Sequence, residues 1–131
     1  MAALPGPPQH LNLVTHDIIG AAIEVHRYLG PGLLESLYRE CVCHELRLRN
    51  VIFDREVAVS LQYKGLQLHQ SYRIDLIVAG SIIVELKSVE KVHPVHQAQV
   101  LTYLKLKRLP LGLLINFNVP VLRAGIVRIA N

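Results

Sequence analysis

The sequence predicts one α/β (α+β) domain built on a central mixed sheet of about five strands flanked by helices. Three observations predict it. The chain has 131 residues, which suits a single domain. Two helical stretches come first, and period-two alternation then takes over at Val57, Val59 and Leu61. A further helical stretch divides the strands, so three lie before it and two after it.

The N-terminal segment MAALPGPPQH holds three prolines and no basic cluster. Residues 1–11 read as a disordered tail, not a signal peptide, and a cytoplasmic location follows as the expectation. The first helix is expected to start with Thr15 as N-cap and Asp17 in the first turn, and to run through IIGAAIEVHRYL. Gly30-Pro31-Gly32 stops it, because glycine suits the position after a helix and proline cannot continue the ladder. The second helix, LLESLYRECVCHELRLR, ends at Asn50.

A first strand follows through Val57, Val59 and Leu61, and Lys64-Gly65 turns the chain. A second strand spans Leu68 to Val78. Ala79-Gly80-Ser81 turns back into a third, Ile82 to Ser88. His93-Pro94 opens a helix with proline at its first position, VHQAQVLTYLKLK, which ends before Pro110. LGLLINFN and GIVRIA supply the last two strands.

Composition narrows the function. Apolar residues make up 51% and charged residues 18%, with mean hydropathy +0.33. That surplus suggests apolar surface covered by a partner or a second copy, so a homodimer is compatible with it. No run of about 18 uncharged apolar residues occurs, which argues against a membrane span. The net charge is +4 and the pI about 9.3, a mild preference for an anionic partner such as nucleic acid. Cys41 and Cys43 stand two apart, so on a helix they point to different faces. No second Cys/His pair completes a soft-metal site, and they read as reduced helical cysteines.

Two neighbouring strands, IDLIVAGSIIVELK, carry three charges among apolar residues. Centring the hairpin on Gly80 sets Asp75 opposite Glu85 and Arg73 opposite Lys87. Alternation then places these four on one face, with Ile74, Leu76, Val84 and Leu86 on the other. Opposed carboxylates repel at about 5 Å. A divalent cation would resolve the conflict, since Mg²⁺ takes oxygen ligands from one or two carboxylates. Lys87 would orient the attacking water or offset phosphate charge. A salt-bridge lattice on a solvated face balances the same charges, and spacing alone divides the two readings evenly. Glu35 falls on the stripe of Tyr38, Val42 and Leu46, where a glutamate is costly unless paired or liganded. A first-turn glutamate favoured by the helix dipole is the plainer alternative.

Gly32-Leu33-Leu34-Glu35-Ser36-Leu37-Tyr38 resembles the signature of the GxxExxY protein family, which is placed in the PD-(D/E)xK nuclease superfamily. The resemblance continues through IIGAAIEVHRYLGPGLLESLY, YRIDLIV, IVELKSVE, HQAQVLTYLKL and LGLLINFNVP, from about Thr15 to Pro120. It implies a restriction-endonuclease-like fold over a single nuclease-like domain, residues 12–131. It implies metal-dependent phosphodiester hydrolysis, with Mg²⁺ or Mn²⁺ held by Asp75, Glu85, the Leu86 backbone carbonyl and Glu35. Glu85-Leu86-Lys87 matches the (D/E)xK pair, and Ile74 stands where many members have proline.

Gln99 and Tyr103 are similar to the QxxxY motif of the RecB-like branch. At i, i+4 they share a helix face and could contact the substrate, though on this motif alone two ordinary polar residues on an amphipathic helix are the better explanation. Arg73 joins them as a candidate phosphate contact. The expected partner is nucleic acid, DNA before RNA. A non-cleaving nucleic-acid-binding or scaffold subunit of a larger assembly is the alternative. His93 and His96 read as capping or surface residues at a helix start, not ligands.

Overall fold

The structure is a computed structural model and describes residues 9–131. In chain order it has α1 (Gln9–Leu29), α2 (Glu35–Leu48), β1 (Phe53–Tyr63), β2 (Leu66–Val78), β3 (Ile82–Lys87), α3 (Pro94–Lys107), β4 (Leu111–Asn116) and β5 (Ile126–Ala130). A short 3₁₀ turn, Leu122–Gly125, precedes β5. The five strands form one mixed sheet in the order β1-β2-β3-β4-β5. All neighbours are antiparallel except β3 and β4, which run parallel because α3 carries the chain back over the sheet.

The helix–helix–three-strand–helix–two-strand order expected from the sequence is the one observed. Helix α1 corrects the expectation at its start. It begins at Gln9, so Gln9, His10 and Leu11 belong to the helix and not to a tail. Residues 1–8 lie outside the described residues. Thr15 is not an N-cap: it sits inside α1 and is 1% exposed, because burying the apolar face from Leu11 through Ile18 outweighs the local cap signal.

Both hairpin turns follow the twist of their strands. Ala79 and Gly80 have φ of 52° and 64°, and Ser81 N donates to Val78 O at 3.0 Å, the mirror-image turn that suits a twisted hairpin. Residues Lys64 and Gly65 also have positive φ. The β2–β3 register centres on Gly80, with Val78 opposite Ile82 and Leu76 opposite Val84.

Two apolar layers sandwich the sheet. One joins α1 and α2 to Leu76, Val78, Val84, Leu86 and the outer residue Phe53. The other joins α3 (Val100, Tyr103, Leu104) to Val59, Ile74, Ile77 and Ile83. Helix α3 comes close to β4 at Gly112, where an added Cβ would lie 2.6 Å from Val100 Cγ1.

The face assignment of β2 needs correction. Ile74 does not share a layer with Leu76: it packs with α3, whereas Leu76 packs with α1 and α2. β1 shows the same exchange. Phe53 faces the first layer, Arg55 bonds Glu40 of α2, and Val57 packs in the second. The β1–β2 ribbon therefore turns over at Glu56 and Asp75. Glu56 has φ 51°, and the pairs on either side are Arg55 with Leu76 and Val57 with Ile74. Strict alternation fails at Asp75, one of the charged positions of the hairpin.

Candidate active site

The geometry centres on Asp75 and Glu85, which are 9% and 5% exposed. Both sheet faces are covered here, so these carboxylates do not lie on a solvated face. The two residues hold one another's strands. Asp75 N donates to Glu85 Oε1 at 2.9 Å, and Leu86 N donates to Asp75 Oδ2 at 2.9 Å. These bonds stand in for backbone ladder bonds beyond the Leu76–Val84 pair, where the two strands part.

Arg39 of α2 completes the arrangement. Its Nε lies 3.1 Å from Asp75 Oδ1, and its outer nitrogen 3.5 Å from Glu35 Oε1. Glu35 opens α2 at the outer end of the buried stripe Tyr38, Val42 and Leu46, with its side chain 36% exposed. The stripe predicted for Glu35 is present, but its carboxylate pairs along the helix with Arg39. Arg39 is a site residue that the sequence motifs do not mark. Its i+4 spacing from Glu35 was the available signal.

Burial, and then the neighbouring Asp75 carboxylate, push the Glu85 carboxyl up to about 8. It thus holds a proton near neutral pH unless a cation joins the pair. Lys87 lies beyond Glu85 on β3 and favours its charged form. Among the described residues, no ion pair within 4.0 Å includes Lys87. The same ammonium, after burial, holds the His96 imidazole below its usual range.

Several contacts fix the end of β3. Phe117 N donates to Lys87 O at 2.8 Å, and Ser88 Oγ donates to Leu33 O at 2.6 Å. Asn116 is buried; its Oδ1 accepts from Val89 N and its Nδ2 donates to Val89 O. Sequence reading missed Asn116 and Ser88, for nothing in the local pattern marks them. Tyr38 ties the preceding loop to α2, donating its hydroxyl to Gly30 O and accepting from Leu33 N. Its ring stacks on Phe117 at 4.4 Å between centroids. Gly32 has φ 95°, which glycine alone adopts without strain. Gly32, Glu35 and Tyr38 thus have separate structural tasks.

Gln99 and Tyr103 share a face of α3 and line a groove with Val59, Leu61 and Tyr72. Tyr103 is 5% exposed, and burial and then Glu85 push its phenol up to about 12. Arg73 is not opposite Lys87. It pairs with Ala58 of β1, since the β2–β3 ladder stops at Leu76. At the start of α3, His93 N donates to His96 Nδ1 at 3.1 Å, a capping contact as expected.

The donor set fits a hard divalent ion in part. Two carboxylates from adjacent strands converge, and one is buried beyond what its hydrogen bonds offset. Among the described residues, however, no group of three or more His, Cys, Asp or Glu gathers as metal ligands. Arg39 draws Glu35 aside, leaving Asp75 and Glu85 as the pair.

A five-stranded mixed sheet covered by helices on both faces, with Asp75 and a Glu85-x-Lys87 strand at its parting edge, defines a restriction-endonuclease-like domain. The sequence model of the PD-(D/E)XK nuclease superfamily matches residues 12–129, and the chain belongs to that superfamily. Searches of curated proteins and of solved structures returned no match. No helix among the described residues is long and apolar enough to cross a membrane.

Proposed function

We propose that this chain hydrolyses phosphodiester bonds of nucleic acid, DNA before RNA, with Mg²⁺ or Mn²⁺. The observation that carries the reading is the buried Asp75–Glu85 pair with the Lys87 ammonium beside it. Asp75, Glu85 and the Leu86 carbonyl would hold the ion, and Glu35 would reach it from α2 only once released from its ion pair with Arg39. Such an ion supplies Lewis-acid polarisation of a phosphoryl oxygen.

The protein's own groups do the rest. Asp75 and Glu85 fix each other through the two strand bonds, so both carboxylates are already positioned beside one another. Lys87 offers a charged donor to the attacking water and to the non-bridging oxygen that gains negative charge. Water attacks phosphorus, the bond to one sugar oxygen breaks, and a proton passes to that leaving oxygen. Arg73 and the net charge of +4 assist in holding the phosphate backbone.

The Gly32–Tyr38 block supports the GxxExxY assignment, and Gln99 with Tyr103 supports the RecB-like branch. Two free thiols, Cys41 and Cys43, agree with a reducing, cytoplasmic setting. The 63% exposure of Leu48 and 79% of Tyr28, on neighbouring helices, agrees with a homodimer.

One observation favours a second reading. Arg39 bonds Asp75 Oδ1, as a non-cleaving nucleic-acid-binding or scaffold subunit with an internal ion-pair network would arrange it.

The test is cleavage of labelled single- and double-stranded DNA and RNA with Mg²⁺, Mn²⁺ or EDTA. Wild type is expected to cut only with metal. Lys87→Ala should lower the rate by at least about 100-fold, as loss of a charged transition-state donor does, with an unchanged melting temperature. Undiminished cutting by Lys87→Ala would overturn the mechanism.

A further inference from the structure

A groove of about 280 Å³ runs between α3 and the β1–β2 ribbon, walled by Val59, Leu61, Tyr72, Gln99 and Tyr103. Tyr72 is 44% exposed, whereas Tyr103 opposite it is buried to 5%. The groove adjoins the carboxylate pair: Ile74, next to Asp75 in the chain, packs in one apolar cluster with Val59 and Tyr103 of the groove. Glu85 lies on the same side of the sheet, because Ile83, two residues before it, packs against α3. Tyr72 precedes Asp75 by three residues, a distance of about 10 Å along a strand.

We infer that this groove takes one unpaired base of a single-stranded nucleic acid, stacked on Tyr72, while the adjacent phosphate sits at Asp75 and Glu85. The inference rests on the nuclease reading for the place of that phosphate. The shape and chemistry select the occupant. The volume falls just under the roughly 300–1,000 Å³ of pockets for drug-sized ligands, enough for a flat ring system. The walls are aromatic and aliphatic, and every base offers a π-face to such walls. At the rim, the Gln99 amide supplies a donor and an acceptor suited to a base edge.

A base within a duplex has both faces covered by its stacked neighbours, and entering the groove would cost it its stacking and pairing. The turnover of the ribbon at Glu56 and Asp75 creates this arrangement: without it, Tyr72 would face the α1–α2 layer, away from Gln99.

The test is fluorescence anisotropy with a labelled 12-nucleotide single strand and with the matching duplex, in Ca²⁺ or EDTA so that no strand is cut. Tyr72→Ala is expected to weaken single-strand binding by roughly 5- to 100-fold, the range of one lost base–aromatic stack, and to leave duplex binding unchanged. Tyr72→Phe keeps the ring and should bind as wild type does. Should the alanine variant fail to fold, Tyr72→Leu carries the same expectation, keeping apolar bulk without the π-face.

Equal single-strand affinity for wild type and Tyr72→Ala overturns the inference. So does an equal loss for strand and duplex, or no binding of single strands by wild type. Hydrolysis of bis(p-nitrophenyl) phosphate with Mn²⁺, which has no base to stack, separates the two readings. Tyr72-dependent binding without hydrolysis sinks the nuclease and keeps the groove. Hydrolysis with Tyr72-independent binding does the reverse.

Discussion

Asp75 and Glu85 are bound to one another's strands, not to one another's side chains: Asp75 N donates to Glu85 Oε1, and Asp75 Oδ2 accepts from Leu86 N, each at 2.9 Å. The two carboxylates thereby replace ladder bonds where β2 and β3 part. They are fixed by the backbone before any ligand arrives.

This geometry makes stability depend on pH. Burial and Asp75 raise the Glu85 carboxyl from 4.5 to about 8. Between those values the folded chain keeps a proton that the unfolded chain has lost. Stability of the metal-free protein should therefore fall as pH rises from about 5 through 8, by an amount on the order of a few kcal/mol. Glu85→Gln should flatten that profile and raise the melting temperature above pH 8. A metal-free melting temperature that rises steadily over this range would contradict the assignment. Mg²⁺ affinity should follow the opposite course, climbing as the proton leaves, and calorimetry in two buffers of different ionisation heat would detect the released proton.

Arg39 serves as the cation of the metal-free site, bridging Asp75 and Glu35. Arg39→Gln removes that charge and leaves the carboxylates without it. The metal-free protein should lose about 1–2 kcal/mol, less than a fully buried pair because the side chain is 19% exposed. Saturating Mg²⁺ should restore more stability to the variant than it adds to wild type. Equal metal-induced shifts in melting temperature would show that Arg39 and the ion do not compete for Asp75.

Thr15 is buried within α1, and its Oγ1 has no hydrogen-bond partner among the described residues. Thr15→Val keeps the branched shape and removes the stranded hydroxyl. A gain of about 1 kcal/mol is expected, seen as a rise of a few degrees in melting temperature. A variant that melts lower than wild type would mean that the hydroxyl is satisfied in solution.

Much of this fold is legible in sequence because its signals are local. Gly30 and Gly32 end α1, Pro94 opens α3, and Gly80 sets the hairpin register that brings Asp75 and Glu85 together. The GxxExxY stretch is legible as a motif, yet its physical content is not. Tyr38 acts on Gly30, Leu33 and Phe117, and only the last is remote in sequence. The start of α1 is not legible locally, because a cap signal at Thr15 competes with an apolar face that extends back to Leu11. Packing decides that contest, and packing is not written locally.

The sequence by itself determined the order of elements, the Asp75/Glu85-x-Lys87 constellation and the mild positive charge, since spacing and composition carry these. Tertiary structure alone decided which side of the sheet each residue serves. Alternation would put Ile74 with Leu76 and Arg73 opposite Lys87. The turnover at Glu56 and Asp75 sends Ile74 and Tyr72 toward α3 and takes Arg73 out of the β3 register. It also took the meeting of α2 with β2 to set Arg39 against Asp75, 36 residues apart in the chain. Strand periodicity describes a flat ribbon; this one turns over at Glu56 and Asp75, so residues on either side of that point serve different layers.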